Sequence, residues 1–508
     1  MKNLINSIWA QYLKIHKGEI EEFIRHPHDV QWKQLKKILK RAENTEWGQR
    51  YSFKDVGEAG DWKTAIPIFE YDDIKTDIHR MMKGERDVLW PGRVKYFAKS
   101  SGTTADKSKY IPVTNENHKD CHTKGGWRLV SRLYDNLKNP RIVAGKSILL
   151  AGSLKDDIPE FPGSIVGDVS AVIFSRLNPI ALNFITPGLE VNLLENFEEK
   201  LDKIASICSK EDITMVAGTP TWSMVLFKKI LDLTGKDNIL EVWPNMQVFV
   251  HGAVSFVPYR KPFEQFFPSP EMSYMETYNA SEGYFAVQYD FEHDDMLLLL
   301  DNGVFYEFIP MSEWEEEHPK THLLSEVEIG KNYAMVITTN SGLYRYKIGD
   351  TISFTSTDPY KIKITGRIKQ FINVFGEEVM VSNTDQALAD TCASFGAMVK
   401  EYTVAPIFLQ STSKGGHEWV IEFEKPPLDS EAFAIALDQN LQRLNSDYEA
   451  KRYKSLALEN LKLNVAPEGT FMDWMKFRNK IGAQQKVPRL SNTRQYIDEI
   501  LNLVKSKS

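Results

Sequence analysis

Apolar positions in the first fifty residues recur with a helical period. In "MKNLINSIWAQYLKIHKGEIEEF", Leu4, Ile5, Ile8, Trp9, Tyr12 and Leu13 fall on one face, with Gln, Lys and Glu interrupting any continuous apolar segment. The stretch is an amphipathic helix rather than a secretory signal. The clearest repeat of the period is "DVQWKQLKKILKRA" (29–42), so residues 1–50 read as two or three helices. From Tyr96 onward, short apolar runs alternate with helical stretches. Strands are predicted at 146–152, 213–220 and 246–253, with helices at 192–210 and 221–235. That alternation predicts an α/β fold with mixed sheets and flanking helices.

Between 285 and 365 the pattern becomes strand-rich, through "YFAVQYDF", "MLLLLDNGVFYEFIP", "NYAMVITT", "DTISFTS" and "KIKITG". Inside it, "EWEEEHPK" (313–320) reads as a solvated acidic loop. From about 380 the chain looks like a separate, small α+β unit, with Gly366 and Gly376 bracketing the passage into it. The expected organisation is a large N-terminal domain, 1–375, and a small mobile C-terminal domain, 376–508.

Composition narrows the function classes. A chain of 508 residues has ample apolar content for a large core. Its net charge of −7 argues against a nucleic-acid platform or a membrane-surface protein. The longest apolar runs, such as "MLLLL" at 296–300, are far too short to span a bilayer. Cys121, Cys208 and Cys392 lie far apart and form no disulfide framework or CxxC pair, which fits a reducing cytosol. The expectation is a cytoplasmic, monomeric enzyme with no nucleic-acid or membrane partner.

The densest chemical stretch is "YFAKSSGTTADKSKYIPVT", which packs Ser100, Ser101, Gly102, Thr103 and Thr104 together with Lys107 and Lys109 close behind. Backbone N–H groups in a glycine turn, beside hydroxyls and ammonium groups, make an anion cradle. It is not a Walker loop: no second glycine precedes Lys107-Ser108, and the flanks predict strand–loop–strand. In "METYNASEGYFA", "NASEG" misses the hydrolase nucleophile elbow by one residue, and no later histidine makes a compelling partner for Ser281. Glu282 there offers carboxylate oxygen to a magnesium ion that bridges phosphates. In "GLYRYKIGD", Asp350 at the end of a tight glycine turn suits acceptance from vicinal ribose hydroxyls. "KITGRIKQFINVFGEEV" carries a basic strand-turn into the hinge.

Taken in order, the hydroxyl/Gly loop, "HGA", Tyr-x-x-Ser-Glu, Tyr-Arg-…-Gly-Asp and Gly-Arg-x-Lys resemble the adenylate-forming superfamily. More closely, "SSGTT" with "KYIPVT", "YNASEGYFAVQ", "LYRYKIGD" and a late "KIGAQQKVPRL" resemble the auxin-responsive Gretchen Hagen family of acyl-acid amido synthetases. The likeness runs from the helices at 27–39 to Leu490. It implies that ATP and a carboxylic acid give an acyl-adenylate and pyrophosphate, after which an amino acid's amine displaces AMP. The sibling reading is an acyl-CoA ligase working through the same adenylate.

The resemblance also implies roles. Ser100, Ser101, Gly102, Thr103 and Thr104 would clasp the ATP phosphates. His251, Gly252 and Ala253 would run along the adenine, and Tyr278 would stack on or flank it. Ser281 would contact the α-phosphate, Glu282 would hold Mg²⁺, and Asp350 would take the ribose. Lys486 aligns with the C-terminal lysine that enters the site for adenylation, where a flexible ammonium suits transient neutralisation. Arg345 and Arg367 fit structural ion pairs as well as nucleotide contacts. The acyl pocket would be lined by 127–134, 169–174 and 217–227, with Arg128 as cation for the substrate carboxylate and Trp222 in its wall. Two departures from the plant pattern stand out: Asp106 where glycine is usual, and Glu282-Gly283 in place of Glu-Cys.

Overall fold

The computed structural model describes residues 2–100, 109–156, 158–194, 196–252, 256, 260–314, 316, 318–367, 371–372, 374–377, 379–408, 415–453, 458–478 and 487–507. The chain opens with helices Lys2–Arg25, Pro27–Ala42 and Glu46–Arg50. Proline at the first position suits the second helix, because that N–H would have no intrahelical partner. Its Val30, Leu35, Ile38, Leu39 and Ala42 are buried at helical spacing. Gln31 shares that buried face and is fully used. It donates to the carbonyls of Leu300 (2.7 Å) and Val304 (2.9 Å) and accepts from the Tyr306 N–H (2.9 Å), which fastens the helix to a sheet edge.

That sheet has eleven strands. Five in sequence, Ser273–Ala280, Val248–His251, Ile213–Ala217, Lys146–Leu149 and Ile185–Thr186, pair in parallel. On its other side Ser273–Ala280 pairs antiparallel with Gly283–Gln288, and Met296–Leu298, Tyr360–Arg367, Tyr346–Thr357, Asn332–Thr339 and Val304–Pro310 follow, all antiparallel. The parallel half is flanked by helices such as Phe197–Cys208 and Pro220–Thr234; the antiparallel half is the strand-rich region of the sequence. A four-stranded sheet carries the hairpin Tyr96–Ser100/Lys109–Pro112. The C-terminal part builds a three-stranded sheet from Met398–Ile407, Gly416–Lys425 and Lys462–Ala466 with helices against it.

Several sequence expectations change, the strands foreseen over 146–152 and 213–220 being Lys146–Leu149 and Ile213–Ala217. The helix foreseen over 192–210 runs only from Phe197 to Cys208, because the Asn196 side chain accepts from the Glu199 N–H (3.0 Å) and sets the start. The strand foreseen over 246–253 is Val248–His251. Asp350 does not end a turn: it lies inside the strand Tyr346–Thr357, at a bulge opposite Ala334–Val336 that Gly349 permits with φ +94°.

Candidate functional site

The strand Ser273–Ala280 is where the sheet changes from parallel to antiparallel. In open α/β sheets, ligands gather outside the carboxyl ends of the parallel strands. Two of the expected segments lie there: His251-Gly252 ends one strand, and Tyr278–Glu282 ends the next and turns out of it.

His251 is 4% exposed, with its ring stacked 4.1 Å from that of Phe256 and close to Phe249. Burial, aided by the Arg260 cation, pushes its pKa down to about 3, so the ring is neutral. Gly252 is required by close approach: a Cβ there would stand 2.4 Å from the Thr277 carbonyl oxygen. Ala253 lies outside the described residues.

Ala280 pairs with Gly283, so Ser281 and Glu282 form the two-residue loop of a hairpin. Glu282 is nevertheless only 6% exposed, and Ser281 is half-buried. The loop is held from behind by a single π-helical turn, His118–Thr123, a deformation common at functional sites. His122 Nδ1 lies 3.0 Å from Asn279 Oδ1, and the Tyr284 N–H donates to Cys121 Sγ at 3.2 Å. The Asn302 amide donates to the Tyr284 carbonyl, and a Cβ at Gly125 would meet the Tyr284 ring at 2.4 Å. Sequence reading did not single out His122 or Asn302, and it gave Cys121 and Asn279 no place behind this loop. The His-x-x-x-His spacing of 118 and 122 was the available signal.

Tyr278 and Asp350 meet. The Tyr278 hydroxyl donates to the Asp350 carboxylate; both residues are buried, and the Tyr278 ring is edge-on to Phe285 at 5.0 Å. Asp350 also pairs in register with Arg367 through the backbone. The hairpin that carries the hydroxyl stretch is anchored to the same strand. Ser100 pairs with Lys109 at the foot of its hairpin, and Lys109 Nζ donates to the Tyr346 hydroxyl at 3.4 Å. Lys109 is buried between the rings of Tyr71 and Tyr346. Ser101, Gly102, Thr103, Thr104 and Lys486 lie outside the described residues.

Two arginines are placed elsewhere. Arg128 is 0% exposed; its guanidinium bonds Asp301 (2.6 Å), Glu19 (2.6 Å) and the His16 carbonyl (2.6 Å). Arg128 thereby ties the first helix to the Asp301 loop, with two carboxylates already beside its charge. Arg345, at φ 43°, makes a buried two-pronged pair with Glu307 (3.0 and 2.9 Å) and donates to the Lys63 and Ile66 carbonyls, each at 2.7 Å. It is a structural ion pair. Trp222 is half-buried at the start of its helix, with Lys451 Nζ 4.6 Å from its ring centroid.

The fold is the mixed α/β architecture of a GH3-type enzyme. The GH3 family N-terminal domain matches residues 16–160 and 160–272, its central domain 297–367 and its C-terminal domain 382–495. The chain belongs to the GH3 family, the acyl acid amido synthetase ligases. Among its relatives are Arabidopsis thaliana indole-3-acetic acid-amido synthetase GH3.3, 24% identical over 92% of this chain and 90% of that one, and rice jasmonoyl–L-amino acid synthetase GH3.5, 23% identical over 94% of each. The fold matches that of AtGH3.15 acyl acid amido synthetase solved with 2,4-DB, with TM-score 0.63, 17% identity and 97% of each chain covered. It also resembles 2-hydroxyisobutyryl-CoA ligase, with TM-score 0.58, 12% identity, and 95% and 93% covered.

Proposed function

We propose that this chain adenylates a small carboxylic acid with ATP, releases pyrophosphate, and transfers the acyl group to the amine of an amino acid, releasing AMP. The observation that carries the reading is the meeting of Tyr278 with Asp350 beside the Ser281–Glu282 hairpin loop, whose Glu282 is buried, at the carboxyl end of the last parallel strand. A carboxylate is a poor electrophile, so the work is positioning plus neutralisation of charge on the phosphates. With no side chain at Gly252 a flat base can lie along that strand end, Tyr278 flanks it, and Asp350 takes the ribose hydroxyls while Tyr278 fixes its orientation. Ser281 contacts the α-phosphate. Ser100, Ser101, Gly102, Thr103 and Thr104 hold the others, their hairpin anchored by Lys109 to the strand of Asp350.

The donor set at the hairpin fits Mg²⁺. Glu282 supplies a hard carboxylate oxygen, and magnesium takes the rest of its shell from phosphates and water. When bound, the ion offsets phosphate charge. Residues 1–375 bind ATP and acid, and 376–508 form the moving domain that delivers Lys486. Trp222 lies in the acyl wall, where the Lys451 ammonium on its ring joins it to the C-terminal part. The protein works as a cytoplasmic monomer; among the described residues no helix is long and apolar enough to cross a membrane.

The test is a carboxylic-acid panel assayed for pyrophosphate release, followed by addition of amino acids or CoA and measurement of product masses. AMP with an amide mass is expected. A thioester with CoA in place of an amide would replace the acceptor, and ADP as the stoichiometric product would overturn the adenylate.

A further inference from the structure

Trp222 stands in the first turn of the helix Pro220–Thr234, which follows the carboxyl end of the parallel strand Ile213–Ala217. It belongs to the N-terminal part of the chain, at the sheet edge that also carries Gly252 and the Ser281–Glu282 loop. Lys451 belongs to the C-terminal part, in the short helix Ser446–Arg452. Its ammonium lies 4.6 Å from the Trp222 ring centroid, which is cation–π distance.

The support behind Lys451 is firm. The Arg452 guanidinium meets the buried Asp438 carboxylate (2.9 and 2.7 Å) and donates to the Leu458 carbonyl (2.8 Å). The Tyr448 hydroxyl donates to the same carboxylate at 2.6 Å. The Lys451 stem also passes over Gly376, where a Cβ would stand 3.6 Å from Cε. Gly376, at φ +78°, lies between the paired strands Phe371–Ile372 and Val379–Met380, which straddle the boundary between the two parts. That turn is fastened to the C-terminal sheet. Glu377 accepts from the Phe375 N–H (2.5 Å) and lies 2.9 Å from His417 Nε2, with both side chains fully buried. A Cβ at Gly415 would stand 2.0 Å from the Phe375 ring, so the ring packs directly on that strand end.

Two kinds of contact therefore cross the boundary. One is apolar: Ile372, Val374 and Phe375 share a core cluster with Phe249 and Phe263. Apolar burial is non-directional and tolerates sliding of one surface over another. The other is Lys451 on Trp222, and a cation over a ring face demands one relative placement of the two parts. We propose that Lys451 is a positioning residue for the two-step reaction. Its ammonium on Trp222 latches the C-terminal unit in the observed pose, and the contact is given up when that unit turns to the pose of the other half-reaction. This inference rests on the moving-domain reading above.

A rate that needs one pose scales with the fraction of molecules holding it. Weakening the latch therefore changes the ratio of the two half-reaction rates by the factor by which the pose equilibrium shifts. For a half-buried cation–π pair that factor is about 3- to 10-fold.

The test is a double-substitution cycle on the full chain with Lys451→Met, Trp222→Leu and both together. Lys451→Met keeps an unbranched stem over Gly376 and removes the charge. Acid-dependent pyrophosphate exchange at saturating ATP and acid reads adenylation; conversion of a supplied acyl-adenylate with saturating amine reads transfer. Lys451→Met should shift the ratio of the two rates by at least about 3-fold. In the Trp222→Leu background it should shift nothing further, and Lys451→Arg should restore the ratio, because a guanidinium keeps a cation on the ring. Equal losses in both half-reactions, an unshifted ratio, or the same shift with and without Trp222 would each overturn the latch. Lys486→Ala decides the moving-domain reading separately. If it abolishes exchange alone while Lys451→Met leaves the ratio unshifted, the domain moves without this latch. If it spares both half-reactions, the moving-domain reading falls, and the latch with it.

Discussion

The Tyr278 hydroxyl donates to the Asp350 carboxylate, joining the end of one central strand to a bulge in another 72 residues on. Neither side chain is more than 6% exposed. The bond fixes which way the carboxylate faces, and the proposed ribose contact would depend on that orientation.

Asp350→Ala should therefore weaken ATP binding by about 10- to 150-fold, equivalent to the loss of about 1.5–3 kcal/mol of charge-assisted hydrogen bonding. Tyr278→Phe should weaken it less, because the carboxylate remains and only its orientation is relaxed. Titration calorimetry with ATP checks both. Unchanged affinity in Asp350→Ala would remove Asp350 from the nucleotide site.

The buried arginines separate structure from substrate. Arg345→Met leaves Glu307, 1% exposed, without its cation, and breaking such a buried pair costs about 3–5 kcal/mol. Arg128→Met should cost less, since its partners Asp301 and Glu19 reach solvent. Urea midpoints give the order. If Arg128→Met raised the KM for acid more than tenfold with stability intact, Arg128 would return to the substrate.

Much of this architecture was legible because patterning carries it. The α/β alternation, the strand-rich middle and the late α+β unit follow from apolar periodicity, which is local. Motif order was also legible: "YNASEG" and "YRYKIGD" are chemically unusual strings. What was not legible is long-range. Arg128 and Arg345 look alike as charges, and only the positions of Asp301, Glu19 and Glu307 in space decide which carboxylates each one meets. The Asp350 bulge depends on the register of a neighbouring strand, which no local spacing encodes. The π-turn behind the hairpin uses His122 and Cys121, whose partners lie more than 150 residues away.

Glu276, next along the switch strand, gives a pH signature. Burial, with Asp294 nearby, pushes it from its ordinary 4.5 up to about 7, against the pull of Lys363. A carboxyl whose folded pKa is raised holds its proton more tightly in the folded state, so its contribution is fully present below 4.5 and is lost as pH rises through 7. Relative to Glu276→Gln, the natural protein should lose on the order of 2–3 kcal/mol of stability between those limits. Denaturant midpoints of the two proteins across that range test the difference. Parallel curves would mean that Glu276 titrates as an exposed carboxyl.

The last prediction separates the two half-reactions. If Lys486 is delivered by a moving C-terminal domain and acts only during adenylation, Lys486→Ala should abolish acid-dependent pyrophosphate exchange. It should still convert a supplied acyl-adenylate and an amine to amide, because that step brings no carboxylate against triphosphate. Ground-state ATP binding should change little, since on the proposed reading the hydroxyl loop and a Mg²⁺ held by Glu282 would still keep the phosphates. A lysine that acts only in the transition state lowers kcat while leaving binding intact. Asp350→Ala should show the opposite split, with weaker ATP binding and unimpaired use of saturating nucleotide. Rapid-quench measurement of each half-reaction in the two variants is the check. Survival of both half-reactions in Lys486→Ala would make Lys486 a surface lysine, and the moving-domain mechanism would fall with it.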